Sequence, residues 1–221
     1  EANQEMYSQV RRILRSMVTY LNKLLLFLLL PTLLIATDNT LENTYENILI
    51  TYSTAYTYEA KFIQENYWAE INIDKISEGK LYYNKENLLM DYSQPDGQKL
   101  LINEEYMTMY DPIADQAMIS DEFDIELRPD KLISHYWDIS EKEIIDKFDD
   151  TIKIKLKTPQ EENIIITISN KLVTEFNIVD ENGNFIIYKF YNIKINEGLP
   201  ENIFELTLPE STNIFDTRNN K

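Results

Sequence analysis

The chain has 221 residues, 43% of them apolar and 27% charged, a globular composition with room for one large domain. Its formal charge of −17 repels nucleic-acid phosphates and anionic membrane surfaces, which excludes nucleic-acid binding. The lack of cysteine excludes disulfides, thiolate nucleophiles, cysteine-ligated metals and a lipid-modified N-terminal cysteine.

The first element is an export signal. Basic residues up to Lys23 precede "LLLFLLLPTLLIA", thirteen uncharged residues ending at Ala36. That run is shorter than the roughly 18 apolar residues a membrane span needs, and Pro31 would kink a span. A basic stretch, a short apolar core and a small final residue describe a secretory signal peptide, with Ala36 as its last residue. Residues 1–16 precede an ordinary signal, so Met6 or Met17 is the expected initiator, Met17 giving the more usual length. Residues 1–36 are thus expected to be an extension plus signal, with an uncleaved N-terminal anchor as the alternative, and in either case 37–221 form one domain outside the cytoplasm. Beyond residue 36 the chain carries 17 basic and 36 acidic side chains, or −19.

From Leu41 to Tyr52 the residues Leu41, Tyr45, Ile48 and Leu49 share a helical face, with Asp38 or Thr40 as cap. "AYTYEAKFIQENYW" then alternates, placing Tyr56, Tyr58, Ala60 and Phe62 on one face of a half-buried strand. "AEINID" continues the pattern, and Ser77-Glu78-Gly79 reads as a turn. Short strands follow around 80–83, 88–93, 98–103, 106–110 and 116–119, with connections that make neighbours antiparallel. Leu88, Met90 and Tyr92 share one face and Met107 and Met109 another, with little charge among them.

Residues 128–148 have helical spacing, with Pro129 suited to a first helical turn and Ser140 and Glu143 as a capping box for a second short helix. Strands then resume. In "TIKIKLK", Ile152, Ile154 and Leu156 alternate with three lysines, and Asn182-Gly183 signals a hairpin. "FIIYKFYNIKI" and "IFELTL" complete about ten strands. The expectation is a mainly β fold with some α: one curled antiparallel sheet forming an incomplete, half-open β-barrel, closed by short helices.

Catalytic motifs are scarce. His135 is the sole histidine, lies in the apolar "ISHYW", and has no motif around it; a structural or surface role is expected. A pair of carboxylates could serve as acid and base, but so many acidic residues make any such pair uninformative. No phosphate-binding glycine loop, EF-hand or HExxH occurs, so neither metal nor cofactor is expected, and the chain reads as a non-enzyme. A face of flexible methionines suits ligands of varied shape, and an apolar cavity binds acyl chains by burial, about 0.8 kcal/mol per methylene. The same residues on a strand face also describe an ordinary core.

The order of these features resembles the LolA family of periplasmic outer-membrane lipoprotein carriers over about 38–215. The residues that carry it are "YEAKFIQE" (58–65), the strand led by Gly79, "LLMDYSQPDGQ" (88–98) and "MTMYDPIADQAM" (107–118). Tyr110-Asp111-Pro112 followed by Gln116 looks like a family signature, and Asn196, Phe204 and Pro209 stand at family positions near the end. The resemblance implies a hydrophobic cavity for lipoprotein acyl chains, lined by Phe62, Leu88, Met90, Tyr92, Leu100, Met107 and Met109. It implies a lid contact at Lys85, Ile133 and Trp137, Lys85 standing where the family commonly has an arginine. It also implies a periplasmic monomer that takes acylated lipoproteins from an inner-membrane ABC exporter and passes them towards the outer membrane, to a receptor where one exists. The alternative is an extracytoplasmic lipid-sensing or regulatory binding domain on the same scaffold.

Overall fold

Alternation in the sequence becomes one buried face of the first strand. In the computed structural model, which describes residues 40–121 and 128–218, Tyr58, Ala60 and Phe62 are all buried along β1 (Thr57–Trp68), whereas Tyr56, expected on the same face, precedes the strand and is exposed. The expected signal segment, its initiators Met6 and Met17, and the cap Asp38 lie outside the described residues.

Helix α1 (Thr40–Ser53) precedes β1 and turns Thr44, Ile48 and Tyr52 inward, with Leu41 and Tyr45 beside them. After β1 come β2 (Ile73–Asn84), β3 (Leu88–Gln94), β4 (Lys99–Ile102), β5 (Met107–Asp111) and β6 (Gln116–Ser120). Helix α2 (Pro129–Trp137) follows, then β7 (Glu141–Phe148), β8 (Thr151–Lys157), β9 (Asn163–Ser169), β10 (Leu172–Val179), β11 (Phe185–Ile195) and β12 (Asn213–Asp216). The strands form one sheet in the order β12-β6-β5-β4-β3-β2-β1-β11-β10-β9-β8-β7.

One hydrophobic cluster joins Ile102 of β4 to Ile154 and Leu156 of β8. Seven strand spacings separate them, roughly 34 Å across a flat sheet. The sheet must therefore curl, and Ile48, Tyr52, Leu132, Ile133 and Trp137 of the two helices fill the hollow. β7 and β12 end the sheet without pairing to each other, which leaves the barrel incomplete as expected.

Three local expectations are corrected. The predicted turn at Ser77–Gly79 lies inside β2; the chain reverses instead around Asn72, whose φ is 50° and whose side chain accepts the Tyr67 hydroxyl at 3.1 Å. Gly79 is needed because β3 passes so close that a Cβ would sit 2.3 Å from the Asp91 carbonyl oxygen. The predicted helix from Ser140 is β7. A bulge between Ile144 and Asp146 breaks its alternation, and two adjacent isoleucines then imitate helical spacing. "IFELTL" is not a strand: Leu199, Ile203, Phe204 and Leu206 cross the outer face and cover Tyr82, Leu89 and Leu101. The last strand is β12, which runs parallel to β6 while every other pair is antiparallel.

The Asn182-Gly183 hairpin forms where expected. Asp180 accepts the amides of Asn182 and Asn184, each at 2.9 Å, and Gly183 takes φ 82°.

Candidate functional site

Strand register decides which of the apolar side chains meet. Leu81, Met90, Leu100, Met109 and Met118 stand opposite one another across β2 to β6, and Tyr83, Leu88, Ile102 and Met107 form the adjacent row. Met107 and Met109 thus share the inner face with Leu88 and Met90. Phe62 and Tyr92 flank Gly79 on that face, their rings edge to face with centroids 5.1 Å apart. The Tyr92 hydroxyl donates to Gln64 Oε1 at 3.2 Å, and burial pushes its pKa up to about 12.

Phe62, Leu88 and Met90 are buried, whereas Tyr92, Leu100 and Met107 are half-buried against the same cluster. Met109 is 38% exposed, beside Met118 near the β12 edge. Ile133 and Trp137 are buried inside the hollow. Lys85 is exposed, with its ammonium 5.0 Å from the centre of the Tyr56 ring.

Helices occupy the hollow. Leu132 of α2 meets Leu81, Met90, Tyr188 and Phe190 around a void of about 10 Å³, the least that one water needs. The Trp137 indole stacks on Tyr45 of α1 at 4.3 Å, and Lys142 Nζ of β7 lies 5.5 Å from its centre. The Tyr45 hydroxyl also donates to Ser134 Oγ at 3.4 Å. These side chains, rather than Lys85, surround the α2 indole.

Sequence reasoning missed Lys142 because it placed that residue in a helix, and missed Tyr45 as a partner because spacing shows a face but not what it meets. Tyr188 and Phe190 share a face in "FIIYKFYNIKI", a signal that was present but had no register attached.

The inner face is chemically quiet. His135 is exposed and packs edge-on against Tyr136 at 4.8 Å. Among the described residues no group of three or more His, Asp and Glu could hold a metal ion. Nor is any helix among them long and apolar enough to cross a membrane. Burial raises the pKa of Tyr52, Tyr58, Tyr83 and Tyr188, so these phenols stay protonated. The arrangement suits apolar burial with a few neutral polar contacts.

Residues 53–207 match the family model for the outer membrane lipoprotein carrier protein LolA. An outer-membrane lipoprotein carrier protein of Pseudomonas putida KT2440 is 23% identical over 168 residues, covering 72% of this chain and 81% of that protein. One from Pseudomonas entomophila L48 is 27% identical over 129 residues, 54% of this chain and 62% of that protein. Among solved structures, an uncharacterized conserved protein from Thermus thermophilus aligns with TM-score 0.53 at 12% identity, covering 80% of this chain and 99% of that one. A chain of the Pseudomonas aeruginosa MucA/MucB complex aligns with TM-score 0.50 at 11% identity, covering 75% of this chain and 61% of that one. Both likenesses are of fold.

Proposed function

We propose, on the premise that the chain belongs to the LolA family of outer-membrane lipoprotein carriers, that it binds the acyl chains of lipoproteins against the inner face of its sheet. The protein then works as a periplasmic carrier and not as an enzyme. It takes cargo from an inner-membrane ABC exporter and moves it towards the outer membrane, to a receptor where one is present.

One observation supports this reading above the others. Helix α2 is the cover of a continuous apolar face, and the void beneath it is about 10 Å³. An acyl chain therefore enters by displacing Leu132, Ile133 and Trp137, whose apolar contacts it replaces with its own. Exchanging one apolar surface for another keeps the net free energy small, which is what reversible loading requires.

The test is mass spectrometry of the protein purified from its own envelope. Co-purifying triacylated lipoproteins are expected. Free lipid without any lipoprotein would instead favour a lipid-sensing domain on this scaffold.

A further inference from the structure

Two phenols stand in the hollow without a well-formed hydrogen bond, the Tyr52 hydroxyl being the polar neighbour of one of them, Tyr58. Tyr58 and Tyr83 are direct cross-strand neighbours on β1 and β2, their rings stacked 4.5 Å apart and 9° from parallel. The two side chains therefore project together from the inner face. They are 0% and 2% exposed, and neither hydroxyl has a partner at hydrogen-bonding distance and angle. Their neighbour Tyr52, at the end of α1, uses its oxygen to accept the Val173 amide proton at 3.0 Å.

A buried hydroxyl without a partner opposes folding, and a phenylalanine at either position would fill nearly the same volume without that cost. Two such hydroxyls side by side call for an acceptor that arrives later. Both phenols are held protonated by burial, so each is a donor. Asp130 and Arg128 are the charged groups that act on Tyr83, and they already face each other at 4.0 Å. A neutral acceptor suits that surrounding better than a carboxylate, whose charge would be desolvated without a cation of its own.

We infer that Tyr58 and Tyr83 form a carbonyl-binding subsite, in which the two hydroxyls donate to the ester carbonyl oxygens of a diacylated glycerol group once α1 and α2 give way. This rests on the acyl-chain reading above and adds a polar anchor to it. Burial of the chains supplies affinity, and the paired donors fix how far the glycerol end enters the hollow. Two adjacent donors match the two neighbouring ester carbonyls of such a group. That glycerol group occurs both in free phospholipid and in the lipid-modified end of a lipoprotein.

The experiment measures binding of two lipid pairs to the intact protein. One pair is a diacyl phosphatidylcholine and its dialkyl ether analogue of equal chain length. The other is a synthetic lipopeptide with ester-linked or ether-linked glycerol chains. The parent is expected to bind each ester form roughly tenfold more tightly than its ether form, about the effect of one net hydrogen bond between neutral groups. Tyr58→Phe/Tyr83→Phe should bind both forms alike and, without ligand, melt no lower than the parent. Preference confined to the lipopeptide pair would identify the lipoprotein end as the ligand; preference in both pairs would include free phospholipid. Infrared spectra of a ¹³C-labelled ester provide a readout that needs no variant, since the bound carbonyl stretch should move to lower frequency. Lipid binding with equal affinity for ester and ether in the parent, or an unmoved carbonyl stretch, overturns the subsite while leaving the carrier reading intact. Failure to bind any of the four lipids overturns both.

Discussion

Trp137 lies face to face on Tyr45, the ring centroids 4.3 Å apart and the planes within 4°. The contact ties α2 to α1 across 92 positions of sequence, so the two helices resist displacement together. Tyr45→Ala should remove about 0.5–1.5 kcal/mol of ring pairing, besides the area that the side chain covers. The expected outcome is a lower melting temperature and faster association of a fluorescent fatty-acyl probe, read by stopped-flow. An unchanged association rate with a lowered melting temperature would show that α1 does not restrain α2.

Met90 sits under Leu132 at the small void, and Leu88 lies in the neighbouring row. Met90→Glu or Leu88→Glu places a carboxylate where it is costly to desolvate. Release of α2 relieves that cost without undoing the strands. Both variants are therefore expected to keep their β-sheet circular dichroism, lose acyl-probe binding and gain hydrogen exchange in residues 129–137. Loss of the sheet signal would instead make this face an ordinary core.

Tyrosine ionisation sets an alkaline limit. In Tyr52, Tyr58, Tyr83, Tyr92 and Tyr188 the folded pKa is raised above the usual 10, chiefly by burial. Above pH 10 the unfolded chain gives up these protons first, so it holds fewer than the native state. The contribution of these tyrosines to stability is therefore level below about pH 9 and falls beyond pH 10, with a slope of about 1.4 kcal/mol per pH unit for each of them. An absorbance titration near 295 nm should show these five ionising only together with unfolding. Reversible ionisation of these five in a folded protein would contradict it.

His135→Ala should change stability by less than about 0.5 kcal/mol, because the imidazole is exposed and its ring contact, with Tyr136, is perpendicular. Lipoprotein transfer by the variant should match that of the parent. A folded variant without transfer activity would reopen a chemical role for this side chain.

Gly79→Ala brings a methyl group to 2.3 Å from the Asp91 carbonyl oxygen and must push β2 from β3. Overpacking of this kind costs about 1–3 kcal/mol, and the backbone contact points to the upper end. Denaturant unfolding against the parent is the check.

The faces of the strands were legible, and their partners were not. Ile154 and Leu156 against their lysines, and Tyr58, Ala60 and Phe62 along β1, are buried as the alternation required. Periodicity assigns a residue to a face; register decides whom it meets, and register depends on bulges and turns that carry weak signals. Hence Met107 and Met109 read from sequence as a second face, and the pairing joins them to Leu88 and Met90. The bulge after Ile144 hides β7 and with it Lys142, while Lys85 has no signal of its own beyond standing near a family position. Tyr58 was placed on the right face, but nothing in one strand shows that its neighbour is Tyr83 or that both hydroxyls lack partners.

Residues 199–206 cross the back of the sheet and bring Asn213 beside Gln116, a partner about 97 positions earlier. Closing so long a loop is slow, and the pairing is made only after that intervening length exists. Until then a growing chain shows other chains the open rim of β6 and the bare side chains of Tyr82, Leu89 and Leu101, a template for wrong association. The tail is thus a late-fastening clasp, and the molecule's risk of aggregation is concentrated in the interval before it shuts.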